Sequence, residues 1–178
     1  MLQLSKTDFL QFSHCAKSLW LLKHKPALYE HGIFSDYLQK IVTEGYEIEA
    51  YLEAHLSLQS DADKYSYQTV FNTKEGLFAK ADCTRKNEDG TINIYEVKSS
   101  TSVQMSGKKN QVKDATFQKV VAEGAGFKVK KIFIVHLNGQ YVRDGAIDPD
   151  QLLTFSDVTA EVDELISNTR SEIDASLL

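Results

Sequence analysis

Apolar positions recur at helical spacing from Phe9 through Leu10, Phe12, Cys15, Ala16, Leu19 and Trp20 to Leu22. Ser5-Lys6-Thr7-Asp8 stands before this stripe as a capping box with Asp in the fourth position, and Pro26 stops it. Ser35 opens a second helix, with Leu38, Ile41, Val42, Ile48, Leu52 and Leu56 on one face. The period then shortens to two. Tyr65 to Phe71, Leu77 to Lys86 and Thr91 to Ser99 read as antiparallel strands. Asn110 to Glu123 returns to helix, with Val112, Ala115, Val120 and Val121 apolar, and Gly124-Ala125-Gly126 closes it as a C-cap. Lys130 to Leu137 reads as a buried strand and Tyr141-Val142 as a short one after the Asn138-Gly139 turn. A last helix starts at Asp157 or Thr159.

The order helix, helix, strands, helix, strand, helix predicts an α/β (α+β) fold, a central mixed sheet flanked by helices in a single domain. The helix after Ser99 is long enough to cross over, so the strand beginning near Lys130 should lie parallel to Thr91–Ser99. We divide residues 1–178 into N-terminal helices (1–56), a sheet with its crossover helix (65–137) and an acidic C-terminal segment (144–178).

A chain of 178 residues with 42% hydrophobic positions can bury a core without disulfides or structural metal. Two cysteines far apart form no disulfide framework, and no apolar run approaches membrane-spanning length, so a reduced, cytoplasmic protein is expected, with no membrane partner. The formal net charge of −5 argues against a polyanionic partner, but it is unevenly spread. Residues 98–131 carry eight lysines against Asp114 and Glu123, whereas 144–178 carry nine acids against Arg170. The basic stretch reads either as a solvated face or as a phosphate-facing surface holding Lys108, Lys109, Lys113 and Lys119, with the acidic tail elsewhere on the molecule.

Asn87 to Thr91 suits a three-residue hairpin loop with Gly90 in the left-handed position. A loop centred on Asp89 sets Asp82 opposite Glu96, about 5 Å apart on one face, with Lys98 pointing the same way. Opposed carboxylates repel unless a cation lies between them, and a hard divalent ion takes such oxygens. A plain surface salt bridge to Lys98 is the competing reading. No phosphate-binding glycine loop, nucleophile elbow or zinc-protease motif occurs, and the histidines are isolated.

Asp82 followed by Glu96-Val97-Lys98 resembles the Asp…Glu-x-Lys signature of the PD-(D/E)XK nuclease superfamily, with Ala81 in place of the usual Pro. Gly45 to Glu53 is similar to a helix motif of its RecB-like branch, Glu49 taking the His position. Gln118 fits that branch's Gln-x-x-x-Tyr motif, with Ala122 at the Tyr position. Leu4 to Leu21, Phe133 to Asn138 and Tyr141 to Gly145 resemble an uncharacterised bacterial family of RecB-like and CRISPR-associated-exonuclease-like proteins.

The resemblance implies a restriction-endonuclease-like core and a Mg²⁺- or Mn²⁺-dependent deoxyribonuclease of repair, recombination or mobile-element defence, RNA remaining open as a substrate. Asp82, Glu96, the Val97 carbonyl and Glu53 would hold the metal, with Glu49 or Glu44 as alternatives to Glu53. Lys98 would orient the attacking water, and Gln118 would position Lys98 or the nucleic-acid backbone. Related iron–sulfur nucleases use one N-terminal and three C-terminal cysteines. Cys15 matches the first but nothing follows Cys83, so no cluster is expected within this chain, and Cys15 reads as a small core residue. Members of that family often carry a further domain, so a partner or extra domain is allowed. The alternatives are a nuclease-like domain that binds nucleic acid or a protein without cutting, and an accessory subunit docking through its last helix.

Overall fold

Leu4 and Ser5 form a two-residue strand (β1, Leu4–Ser5) that runs directly into a helix (α1, Lys6–His14). The expected capping box is present: the Ser5 side chain accepts from the Asp8 N–H, and the Asp8 carboxylate accepts from the Ser5 N–H at 2.9 Å. The computed structural model describes residues 3–30, 32, 35–107 and 110–177, without the side chains of residues 36–38 and 41.

The single N-terminal helix expected from periodicity is two, because Cys15 is extended (φ −162°, ψ 101°) between α1 and α2 (Ala16–His24). Cys15 is exposed there, not a core residue. The second expected helix is α3 (Asp36–Ser57); Ile48, Leu52 and Leu56 of its stripe are buried, Val42 is exposed, and the side chains of Leu38 and Ile41 lie outside the described residues. Then come β2 (Tyr65–Asn72), β3 (Leu77–Lys86), β4 (Ile92–Val97), α4 (Gln111–Gly124) and β5 (Val129–Leu137). A four-residue helix α5 (Pro149–Leu152), β6 (Leu153–Asp157) and α6 (Thr159–Ser176) complete the order. Gly90 and Gly126 take the positive φ values, 78° and 94°, that the hairpin loop and the exit from α4 require.

The sheet order is β1-β3-β4-β5-β6, with β2 also paired to β3. β4 and β5 are parallel, as the crossover through α4 requires, and β5 and β6 are antiparallel. Tyr141 and Val142 are not a strand. The return strand is β6, reached after a longer loop, so the sheet is not confined to residues 65–137. One face packs Phe9, Phe71, Phe117, Val121, Ile94, Ile134 and Val162, from α1, the sheet, α4 and α6. The other packs Ile48, Leu52 and Leu56 of α3 on Tyr95, Val97, Val135 and Leu153. Helices therefore cover both faces of a mixed sheet.

The strand β3 has three partners. Phe78 pairs with both Asn72 and Ser5, and Cys83 with both Tyr67 and Tyr95. A strand has two edges, so β1 and β4 share the edge of β3 that β2 leaves open. β1 takes its start and β4 its end, which leaves a fork beside residues 79–82.

Candidate active site

The β3–β4 hairpin has the register its loop implies, with Cys83 opposite Tyr95 and Thr84 opposite Ile94. One step further sets Asp82 opposite Glu96, at the mouth of the fork. There the ladder ends, and the Val97 N–H donates to Asp82 Oδ2 at 2.7 Å. A side-chain carboxylate has taken the place of a backbone acceptor.

Glu96 is 2% exposed and fully engaged. Its Oε1 accepts from Lys98 Nζ at 2.7 Å and from Lys6 Nζ at 2.7 Å. Its Oε2 accepts a very short hydrogen bond from the Gln118 side-chain amide. Both lysines also reach Asp114 on α4: Lys98 at 2.5 Å to Oδ2 and Lys6 at 3.3 Å to Oδ1. Asp114 and Gln118 lie one turn apart on the α4 face turned to the sheet, so one helix supplies an acceptor for the ammoniums and a donor for the carboxylate. The Gln118 Oε1 is buried without a hydrogen-bond partner among the described residues.

The protonation states follow from this packing. Burial would raise Glu96, but the ammoniums of Lys98 and Lys6 outweigh it and hold the carboxyl well below the usual range. Burial would lower Lys98 and Lys6, but Glu96 and Asp114 raise both above an ordinary lysine, so Lys98 is a firm cation. Asp82 is pushed the other way. Burial and the adjoining Glu96 charge raise it to about 8, with Glu49 adding a smaller repulsion. Glu49 is itself raised, by burial and then by Glu96. Its Oε2 accepts from Gln68 of β2 at 2.8 Å, a residue with a φ of 53° between the Tyr67–Cys83 and Thr69–Ala81 pairs. The cluster is therefore short of positive charge on its Asp82–Glu49 side.

The structure brings together Asp82, Glu96, the Val97 backbone, Lys98 and Gln118. It does not bring Glu53, which is exposed and whose charge is felt by Tyr67 and Cys83 instead. Glu44 is exposed and 3.7 Å from Lys40. The α3 carboxylate whose charge reaches Asp82 and Glu96 is Glu49, one turn earlier than Glu53. Lys108 and Lys109 lie outside the described residues.

Lys113 and Lys119 are not a free phosphate-facing pair. Lys113 is 2.7 Å from Glu172, and Lys119, buried, is 2.6 Å from Asp163. Arg170 reaches Glu123 at 3.3 Å and Lys131 reaches Asp157 at 2.9 Å. The acidic tail is thus not elsewhere on the molecule: α6 lies on α4 and pairs with Lys113 and Lys119, and Asp157 at the end of β6 pairs with Lys131.

Lys6 and Asp114 were not anticipated. Lys6 is 90 positions from Glu96 and carries no local pattern. Asp114 had a usable signal, since it shares a helix face with Gln118.

Two side-chain carboxylates and a backbone carbonyl are the kind of donor set a hard divalent ion takes, with water completing its shell. Among the described residues no group of three or more His, Cys, Asp or Glu side chains is placed to hold a metal. A cation at this cluster would therefore rest on Asp82, Glu96 and backbone.

No family model matches the chain, and no curated protein is significantly similar in sequence. Among solved structures, it is similar to an alkaline exonuclease (LHK-Exo) from Laribacter hongkongensis, with a TM-score of 0.54 over 98% of this chain and 89% of that one, at 12% identity. The chain has the fold of that exonuclease. The crystal structure of SSO0001 also matches, at 14% identity over 95% of this chain and 75% of that one, but its TM-score of 0.45 is too low to support an argument. Among the described residues no helix is long and apolar enough to cross a membrane.

Proposed function

We propose that the chain is a Mg²⁺- or Mn²⁺-dependent nuclease of the PD-(D/E)XK type, RecB-like branch, hydrolysing phosphodiester bonds of DNA in the cytoplasm. The observation that carries this reading is the convergence of Asp82, Glu96 and Lys98 at the mouth of the β3 fork, on a fold shared with an exonuclease.

Asp82, Glu96 and the Val97 carbonyl would hold the ion. When bound, it would supply Lewis acidity at a phosphate oxygen and offset the carboxylate charge. Lys98, fixed as a cation by Glu96 and Asp114, orients a water by donating to its oxygen and lowers that water's pKa through its charge. Gln118 holds the Glu96 carboxylate in one orientation through Oε2. Glu49 supplies negative charge on the far side of Asp82, where a cation gains most.

One observation favours the second reading, a nuclease-like domain that binds without cutting. Both Glu96 oxygens are already engaged by Lys6, Lys98 and Gln118. The test is incubation of plasmid, linear duplex, single-stranded DNA and RNA with Mg²⁺ or Mn²⁺, comparing the wild type with Lys98→Ala and Glu96→Gln. Metal-dependent cleavage lost in both variants supports the enzyme. Absence of cleavage in the wild type would sink it, and salt-sensitive binding without cleavage would establish the second reading.

A further inference from the structure

We propose that Lys6 is a built-in counter-cation for Glu96, holding that carboxylate in the metal-free protein and giving it up to the divalent ion when one binds. The proposal rests on the metal-dependent reading above and names a positioning residue within it.

Three observations converge. The first is occupancy: Lys6 Nζ sits 2.7 Å from Glu96 Oε1, the oxygen that also accepts from Lys98 at 2.7 Å. A carboxylate oxygen with two ammoniums on it has little lone-pair density left for a metal. The second is an alternative partner. Asp114 Oδ1 is already 3.3 Å from Lys6 Nζ and accepts no hydrogen bond from any described residue. A shift of the ammonium toward Oδ1 would complete that contact and take one of the two ammoniums off Glu96 Oε1 without stranding a buried cation. Lys98 has less freedom, since it is held at both Glu96 and Asp114 Oδ2.

The third is delivery. Lys6 is the first residue of α1, immediately after the two-residue strand β1, and β1 lies on the same β3 edge as β4. The fork thus aims the start of α1 at Glu96. Its side chain is 24% exposed and its stem is flexible, so the ammonium can move without the backbone following. A permanent structural cation would gain nothing from an unfinished second contact.

The test compares Mn²⁺ binding, by titration with electron paramagnetic resonance of the free ion, in the wild type, Lys6→Met, Lys6→Gln, Lys80→Gln and Glu96→Gln. Lys80 is an exposed lysine whose charge reaches Glu49, and it controls for the general loss of positive charge. Removing a competing charge within salt-bridge distance should tighten Mn²⁺ binding about tenfold or more in the Lys6 variants. Lys80→Gln should change it far less. Lys6→Met should also melt lower than wild type without metal, and saturating Mn²⁺ should close that gap. Unchanged or weaker Mn²⁺ binding in both Lys6 variants overturns the proposal while leaving the metal site intact, as does an equal gain in Lys80→Gln. Failure of every protein to bind Mn²⁺ in a Glu96-dependent way overturns the metal-dependent reading itself.

Discussion

Helix α4 carries lysine–carboxylate contacts on two sides, and they differ in kind. Toward α6, Lys113 meets Glu172 and Lys119 meets Asp163, each lysine having a carboxylate at hydrogen-bonding distance and each pair keeping some access to water. Toward β4, Lys6 and Lys98 share Glu96 and Asp114, while Asp82 and Glu49 stand by with their pKa values raised. Distance does not separate the two regions, since all but the Lys6–Asp114 contact are equally short. The balance of charge does. The α6 side is balanced pair by pair and belongs to packing. The β4 side is shared, buried and incomplete, which is the condition in which an added cation changes the energy most.

The largest effect that would break this contrast is a loss of its central acceptor. Glu96→Leu leaves two buried ammoniums with Asp114 alone and an amide without its acceptor, and should cost about 3–5 kcal/mol in urea unfolding, whereas Glu172→Leu should stay within about 1 kcal/mol. Equal losses would erase the distinction. Next, Gln118→Leu leaves Glu96 Oε2 without its donor and should cost about 1–3 kcal/mol, with the cleavage rate falling in parallel.

A pair outside both regions calibrates them. Asp8 accepts from Lys23 at 2.8 Å and from Ser5, and these bonds outweigh burial to hold its carboxyl below the ordinary value of 3.8. A depressed folded pKa stabilises fully above the unfolded value and is lost as pH falls through the folded one. Asp8→Ala should therefore be less stable than wild type by about 1 kcal/mol at neutral pH, and the two should converge in acid. A gap that persists at pH 2 would assign the effect to packing instead. The smallest effect is expected at Lys119→Met. Its partner Asp163 is 53% exposed and rehydrates, so stability should change by under about 1 kcal/mol, and the salt slope of nucleic-acid binding should not change.

The hairpin was legible because its information is local. A three-residue loop fixes the register, the register fixes the face, and Asp82, Glu96 and Lys98 follow without reference to the rest of the chain. The parallel placement of β5 was legible for a related reason, since a strand–helix–strand segment has essentially one way to return. What stayed hidden was non-local or lacked a breaker. No Gly or Pro marks the break at Cys15, where the apolar spacing continues through both helices. β6 is five residues of mixed character, and the Asn138-Gly139 turn pointed to Tyr141-Val142 before it. Charge segregation along the chain misled most. Residues 98–131 and 144–178 are opposite in charge along the sequence but not apart in space, because α6 folds back onto α4 and meets Lys113 and Lys119.

The shared edge of β3 also has a kinetic side. The contact from Lys6 to Glu96 closes a span of 90 residues, and the strand just before Lys6 is only two residues long. Loop closure of that length should come after the local hairpin has formed, which pulsed hydrogen exchange during refolding would check. A two-residue strand is also among the first elements to detach from a native sheet. Amide exchange at Leu4, which donates to the Gly76 carbonyl at 2.9 Å, should thus be fast relative to the β4 core. Such an opening would carry the Lys6 backbone away from the fork as well, in addition to the side-chain movement that needs no backbone change.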